Sequence, residues 1–213
     1  MKKIEKNIEK INSFIEDKNI TLVAVSKNKS VDEILCAYNF GLRDFGENYV
    51  QELVEKMEIL PSDIRWHMIG HLQKNKVKYV VDERIVLIHS VDSISLVKEI
   101  NKWAVKKNLV VNILLEVNVS FEKSKYGFKY DEVVDIIDQI KNFKNVKVLG
   151  LMTILPNIND QNILSSYFRK LHKLAKKLNL KELSMGMTND YDIAIKEGST
   201  IIRIGTGIFG FRK

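Results

Sequence analysis

Eight short apolar runs, most of them rich in β-branched residues, recur along this chain, and longer stretches of helical periodicity lie between them. The runs are TLVAVS (21–26), LRDFG (42–46), RWHMIG (65–70), IVLIHS (85–90), LVVNILLEVN (109–118), VKVLGLMT (146–153), ELSMG (182–186) and TIIRIG (200–205). Helices are predicted over Val31–Phe40, Tyr49–Met57, Ser93–Lys107, Asp131–Phe143 and Gln161–Leu178. Ser30, Asp92 with Ser93, and Asp160 stand where such helices need a side-chain oxygen to accept from their first free amides. Strands that alternate with helices run parallel and are buried on both faces. Eight such units match a (β/α)8 barrel, a fold that needs about 200 residues or more. A doubly wound open sheet, the rival, often carries a glycine-rich first turn; here that turn is SKNKS. The expected fold class is therefore α/β, a single (β/α)8 TIM barrel spanning 1–213. An extra N-terminal amphipathic helix precedes it, with Ile4, Ile8, Ile11 and Ile15 on one face.

Charge and cysteine content narrow the function classes. The chain has 34 basic and 27 acidic residues, a net charge of +7, but its lysines are scattered along helical faces rather than gathered in a tract. No specific nucleic-acid partner is expected from that pattern. The single cysteine, Cys36, excludes an intrachain disulfide and sits in the apolar pattern VDEILCAYNFG, as a buried thiol would. The N-terminal MKKIEKNIEKINSFIE lacks the continuous apolar stretch of a signal peptide, and no segment suits a bilayer. A cytoplasmic location without a membrane partner is the expectation.

A barrel gathers its functional residues at the C-terminal ends of its strands, with phosphate sites after the last two. The candidates at those ends are Lys27, FGENY (45–49), HMIGHLQ (67–73), His89–Ser90, Asn118, Met152–Thr153, SMGMTND (184–190) and RIGTGIFG (203–210). The last two segments are the most informative. Gly186, Gly205 and Gly207 let the backbone approach an anion, with Ser184, Thr188 and Thr206 as hydroxyl donors and Arg203 as a charged fork. The same glycines also serve simple tight turns. The P-loop pattern is absent, which disfavours nucleotide hydrolysis.

Lys27 ends the apolar run LVAVS, and local pattern leaves three roles open for it: a snorkelling rim lysine, a phosphate anchor, or an amine for covalent chemistry. A lysine and a phosphate site on one rim suit a ligand with both an aldehyde and a phosphate, such as pyridoxal 5′-phosphate (PLP). His67 and His71 are four apart, but His67 belongs to a strand pattern and no Asp, Glu or Cys set completes a metal site. His89–Ser90 lacks a nucleophile elbow. Asn48 and Glu47 either reach a ligand hydroxyl or cap the next helix, and Met152 packs the barrel while touching a bound ring.

The segments VAVSK, FGENYVQE, WHMIGHLQKNK, SVDS, SKYGF, GLMTI, LSMGMTND and GSTIIRIGTGIFG together resemble the YggS/PROSC family of pyridoxal phosphate homeostasis proteins, in order, from the first strand to the C-terminus. The resemblance implies a fold-type III PLP barrel like the N-terminal domain of alanine racemase, with PLP held as a Schiff base on Lys27. It implies phosphate-binding segments at Ser184–Thr188, including Gly186, Met187 and Thr188, and at Arg203–Thr206, including Gly205. Asn48 falls in the cofactor-proximal GEN motif. Thr188 and Asn189 stand where many relatives have Ser and a variable residue, which keeps the hydroxyl. After its last motif the chain is expected to lack the second domain with which alanine racemases supply a tyrosine base. The implied role is monomeric intracellular PLP buffering or delivery without turnover, with PLP-dependent apo-enzymes as recipients. A minimal PLP-dependent amino-acid racemase is the alternative, and a barrel binding a sugar phosphate or nucleic acid is a more distant one.

Overall fold

The computed structural model describes residues 2–122 and 126–211. Helix α1 (Lys2–Ile15) leads into β1 (Thr21–Val25), α2 (Val31–Asn39), β2 (Asp44–Glu47), α3 (Val50–Ile59) and β3 (Arg65–Met68). A 3-10 turn over Lys74–Lys76 and the one-turn α4 (Val77–Val80) precede β4 (Ile85–Val91), α5 (Ile94–Lys107) and β5 (Val111–Asn118). Then come the two-residue β6 (Phe128–Lys129), α6 (Val133–Ile140), β7 (Val146–Met152), α7 (Gln161–Lys177), β8 (Glu182–Ser184), α8 (Tyr191–Lys196), β9 (Ile201–Ile204) and α9 (Thr206–Phe209).

All eight predicted strands enter one parallel ring. The order β4-β3-β2-β1-β9-β8-β7-β5 is closed by pairing of β4 with β5, while β6 only extends the end of β5. Period-two alternation divides each strand between two environments. Leu22 and Ala24 of β1, and Ile202 and Ile204 of β9, join the large core beneath the helices. Their neighbours Val23 and Ile201 join Leu87, Leu114 and Met152 in a small separate cluster that fills the barrel interior. Residues two positions further along the same strands point the same way, and there the interior turns polar. His89 follows Leu87, Glu116 follows Leu114 and Arg203 follows Ile201, and all three are buried.

Local chemistry explains the helix starts. Ser30 accepts from the Glu33 amide while the Glu33 carboxylate accepts from the Ser30 amide, a reciprocal cap that starts α2. Ser93 caps α5 through Leu96, and Asp160 caps α7 through Asn162 and Ile163. Tyr49 is extended, so α3 begins at Val50. Tyr130–Glu132 form a 3-10 turn, so α6 covers only Val133–Ile140 of the longer span predicted. Helix α1 buries Ile4, Ile8 and Ile11 and is fastened to α9 by the Asn7 side-chain amide, which donates to the Ile208 carbonyl at 2.9 Å. Among the described residues no helix is long and apolar enough to cross a membrane.

Candidate functional site

Lys27 is the second residue after β1, and its neighbours are pinned from two sides. The Ser26 amide donates to the Gly46 carbonyl at 3.0 Å, and its hydroxyl donates to Glu47 at 2.6 Å. Lys56 of α3 donates to the Ser26 carbonyl at 2.7 Å and to the Glu47 carboxylate at 2.7 Å. On the other side the Asn28 amide donates to Glu52 at 2.5 Å, with Asn28 itself in the left-handed region at φ 57°. Burial pushes the Glu47 carboxyl upward, against the pull of Lys56 and Ser26. Lys27 is thus presented from a stiff turn.

It borders a cavity of about 310 Å³ at the C-terminal ends of β1, β7, β8 and β9. Thr188, Gly205 and Thr206 form one wall of it, together with Met187, Asn189, Asp190 and Arg203. Val25 and the loop residues Leu155, Pro156, Asn157 and Ile158 form another, backed by Leu164. The β8 and β9 loops meet at Thr188, whose hydroxyl accepts from the Gly207 amide and from the Thr206 hydroxyl, each at 3.2 Å. Their junction requires Gly186: it has φ +94°, and a Cβ there would lie 2.7 Å from that of Ala194. Asp190 folds the β8 loop by accepting from the Met187 amide at 2.6 Å, and burial raises its carboxyl.

Arg203 lies beneath the cavity and lines it. Its Nη1 donates to the Ser184 hydroxyl at 2.6 Å and its Nη2 to the Thr153 carbonyl at 3.0 Å. Burial lowers its guanidinium to about 10, with Glu116 and Asp190 pulling the other way.

The structure therefore brings Lys27, Met187, Thr188, Arg203, Gly205 and Thr206 to one cavity. It places the other sequence candidates elsewhere. Ser184 is fully buried and its hydroxyl is bonded to Arg203 and His89. Gly186 shapes the loop without lining the cavity. Met152 belongs to the interior cluster. Asn48 borders a different cavity of about 340 Å³ with Tyr49, Gly70, His71 and Lys76. Of the SKYGF segment, Ser124 and Lys125 lie outside the described residues, while Tyr126 stacks on His71 at 4.1 Å.

Sequence reasoning included Asp190 in the strand-end segment SMGMTND without giving it a role, and it missed the 155–158 loop, which lies beyond the end of β7. It also missed a buried polar line through the interior. His67 Nε2 lies 3.0 Å from Asp44, His67 Nδ1 lies 2.9 Å from His89 Nε2, and His89 Nδ1 lies 2.8 Å from Ser184. The available signal was parity: Asp44, His67, His89, Ser184 and Arg203 occupy inward positions of their strands.

Comparison with known proteins agrees with this architecture. The family model for the alanine racemase N-terminal domain matches residues 1–213. A pyridoxal phosphate homeostasis protein of Aquifex aeolicus is 45% identical over 199 residues, covering 90% of this chain and 87% of its own. One from Mus musculus is 40% identical over 209 residues, covering 90% and 76%. The solved structure of PipY from Synechococcus elongatus with PLP bound has a TM-score of 0.88 at 32% identity, covering 97% of this chain and all of that one. Alanine racemase of Clostridium difficile, at 11% identity and TM-score 0.81, covers this whole chain but only 57% of its own and shares the fold. The chain belongs to the alanine racemase N-terminal domain family and, within it, to the pyridoxal phosphate homeostasis proteins.

Proposed function

We propose that this chain binds PLP in the cavity bordered by Lys27 and acts in PLP homeostasis as a carrier. The observation that carries this reading is that a lysine and the Thr188–Thr206 hydroxyl pair share one cavity. The donor set suits the cofactor in three respects. Lys27 supplies a primary amine; Thr188, Thr206 and the glycine amides supply neutral donors for a phosphate; Val25, Leu155, Ile158 and Met187 supply apolar walls for a ring. PLP contributes an aldehyde that condenses with a lysine amine. Lys27 provides the point of covalent attachment, the β8 and β9 loops orient the phosphate, and Arg203 places a positive charge at the cavity floor.

Carriage without turnover is the second half of the reading. Relatives at 38–45% identity are called homeostasis proteins rather than enzymes. Racemisation needs a proton donor on each face of a substrate carbon, and among the described residues lining the cavity there is no tyrosine. The protein acts as a monomer that hands PLP to apo-enzymes.

Purified protein supplied with PLP should be yellow, with borohydride fixing the cofactor onto Lys27. In D₂O with L-alanine or L-serine, the loaded protein should show no sustained α-proton exchange. Exchange at enzymatic rates would replace the carrier by the racemase.

A further inference from the structure

We propose that Ser184, His89 and His67 form a one-directional hydrogen-bond chain, anchored on Asp44, that fixes the guanidinium of Arg203 at the cavity, with both histidines as neutral positioning residues. The proposal rests on the PLP-binding reading for its consequence, but its geometry stands without the cofactor.

The two ends set the direction. A guanidinium only donates and an ionised carboxylate only accepts. Arg203 Nη1 donates to the Ser184 oxygen at 2.6 Å, so the Ser184 hydrogen must find another acceptor. Among the described residues the acceptor within reach is His89 Nδ1, at 2.8 Å. That nitrogen therefore carries a lone pair, and the His89 hydrogen sits on Nε2, facing His67 Nδ1 at 2.9 Å. His67 in turn carries its hydrogen on Nε2 and donates to Asp44 at 3.0 Å. Asp44 closes the line by also accepting from Arg65 Nε at 2.9 Å. From the Ser184 hydroxyl to Asp44 each hydrogen on the line then meets an acceptor, as buried polar groups require.

Charged groups on every side agree with this polarity. Arg203 of β9 acts on His89, Glu116 of β5 and Asp190 ahead of α8 act on Arg203, and Arg65 of β3 holds Asp44 of β2. Burial, with the Arg203 charge nearby, holds the His89 ring well below the usual histidine range. A proton added at His67 Nδ1 would drive the His89 hydrogen across to Nδ1. The Ser184 oxygen would then accept from two donors, and its own hydrogen would be stranded in the core. The chain thus has one low-cost arrangement, and Arg203 is held by it.

The first test needs neither cofactor nor variant. Long-range ¹H–¹⁵N spectra of the cofactor-free protein at neutral pH should show both His67 and His89 bare on Nδ1 and protonated on Nε2. Protonation of either ring on Nδ1 overturns the proposal. The second test uses His67→Phe, which leaves the cavity residues untouched. In the PLP-loaded protein it should shift the cofactor absorbance and its pH profile, and so should His89→Leu. His89→Gln, whose amide both accepts and donates, should recover the wild-type profile. Affinity for PLP should fall about ten-fold in His89→Leu and stay within about two-fold in His89→Gln. A folded His67→Phe protein with an unchanged spectrum and pH profile would sink the idea. If His67→Phe fails to fold, Asp44→Asn tests the same end of the chain by the same spectrum. A colourless wild type would defeat the PLP reading instead, leaving the tautomer result to stand or fall alone.

Discussion

Lys56 Nζ lies 2.7 Å from the backbone carbonyl of Ser26 and the same distance from the buried Glu47 carboxylate, so a helix lysine holds the strand end that presents Lys27. A third contact, to Glu52 at 2.6 Å, completes its donors, and Glu52 also accepts from the Asn28 amide on the far side of Lys27. Support for the candidate attachment point is therefore built from α3 and β2, not from β1 itself.

Removing that lysine leaves a buried carboxylate without its counter-charge. Lys56→Met should destabilise the protein by about 3–5 kcal/mol in urea unfolding. Adding Glu47→Gln should recover a substantial part, because the stranded charge is removed with it.

The Thr188 hydroxyl joins the two loops assigned to the phosphate. Thr188→Val should weaken PLP binding about ten-fold and leave the weaker binding of pyridoxal, which lacks the phosphate, unchanged. Parallel titrations of the two vitamers check this. Equal losses for both would move the phosphate elsewhere.

Gly186 combines a left-handed backbone with a Cβ position 3.0 Å from the Tyr191 Cα. Gly186→Ala should cost about 1–3 kcal/mol of stability. It should also weaken PLP binding, since α8 and Asp190 must shift to admit the methyl. Urea unfolding and PLP titration of one preparation measure both.

Asp44 sets a pH dependence of known sign. Burial pushes its carboxyl up, but hydrogen bonds from Arg65 and His67 outweigh that and bring it down to about 2, from an ordinary 3.8. A depressed carboxyl contributes stability above its unfolded pKa and loses it as the pH falls through the folded value. The stability gap between wild type and Asp44→Asn should therefore be full at pH 5 and shrink between about pH 4 and pH 2. Paired unfolding curves across that range measure it, and a gap that widened on acidification would contradict the assignment.

How far the sequence reveals this molecule depends on the range of the signal. Eight apolar runs separated by helical stretches gave the ring, since a parallel strand is buried on both faces and reads as a continuous apolar string. The end-of-strand rule then pointed to Lys27, Thr188, Gly205 and Thr206. Helix α4 escaped because four residues carry no periodicity. The line from Asp44 to Ser184 escaped for a different reason. Each member sits singly in its strand, as His89 does in IVLIHSV, and only ring closure brings Ser184 to a histidine 95 residues earlier. The 155–158 loop was passed over because the cavity wall it forms follows a path that no local pattern dictates.

The central claim is that Lys27 attaches the cofactor, and one comparison tests it most directly. Wild type and Lys27→Ala are loaded with PLP, reduced with borohydride, digested and analysed by mass spectrometry, with the absorbance recorded beforehand. Wild type should be yellow and carry the reduced cofactor on the peptide containing Lys27, while Lys27→Ala should lose both the colour and the adduct. An unchanged spectrum in Lys27→Ala, or an adduct on another lysine in wild type, would contradict the account.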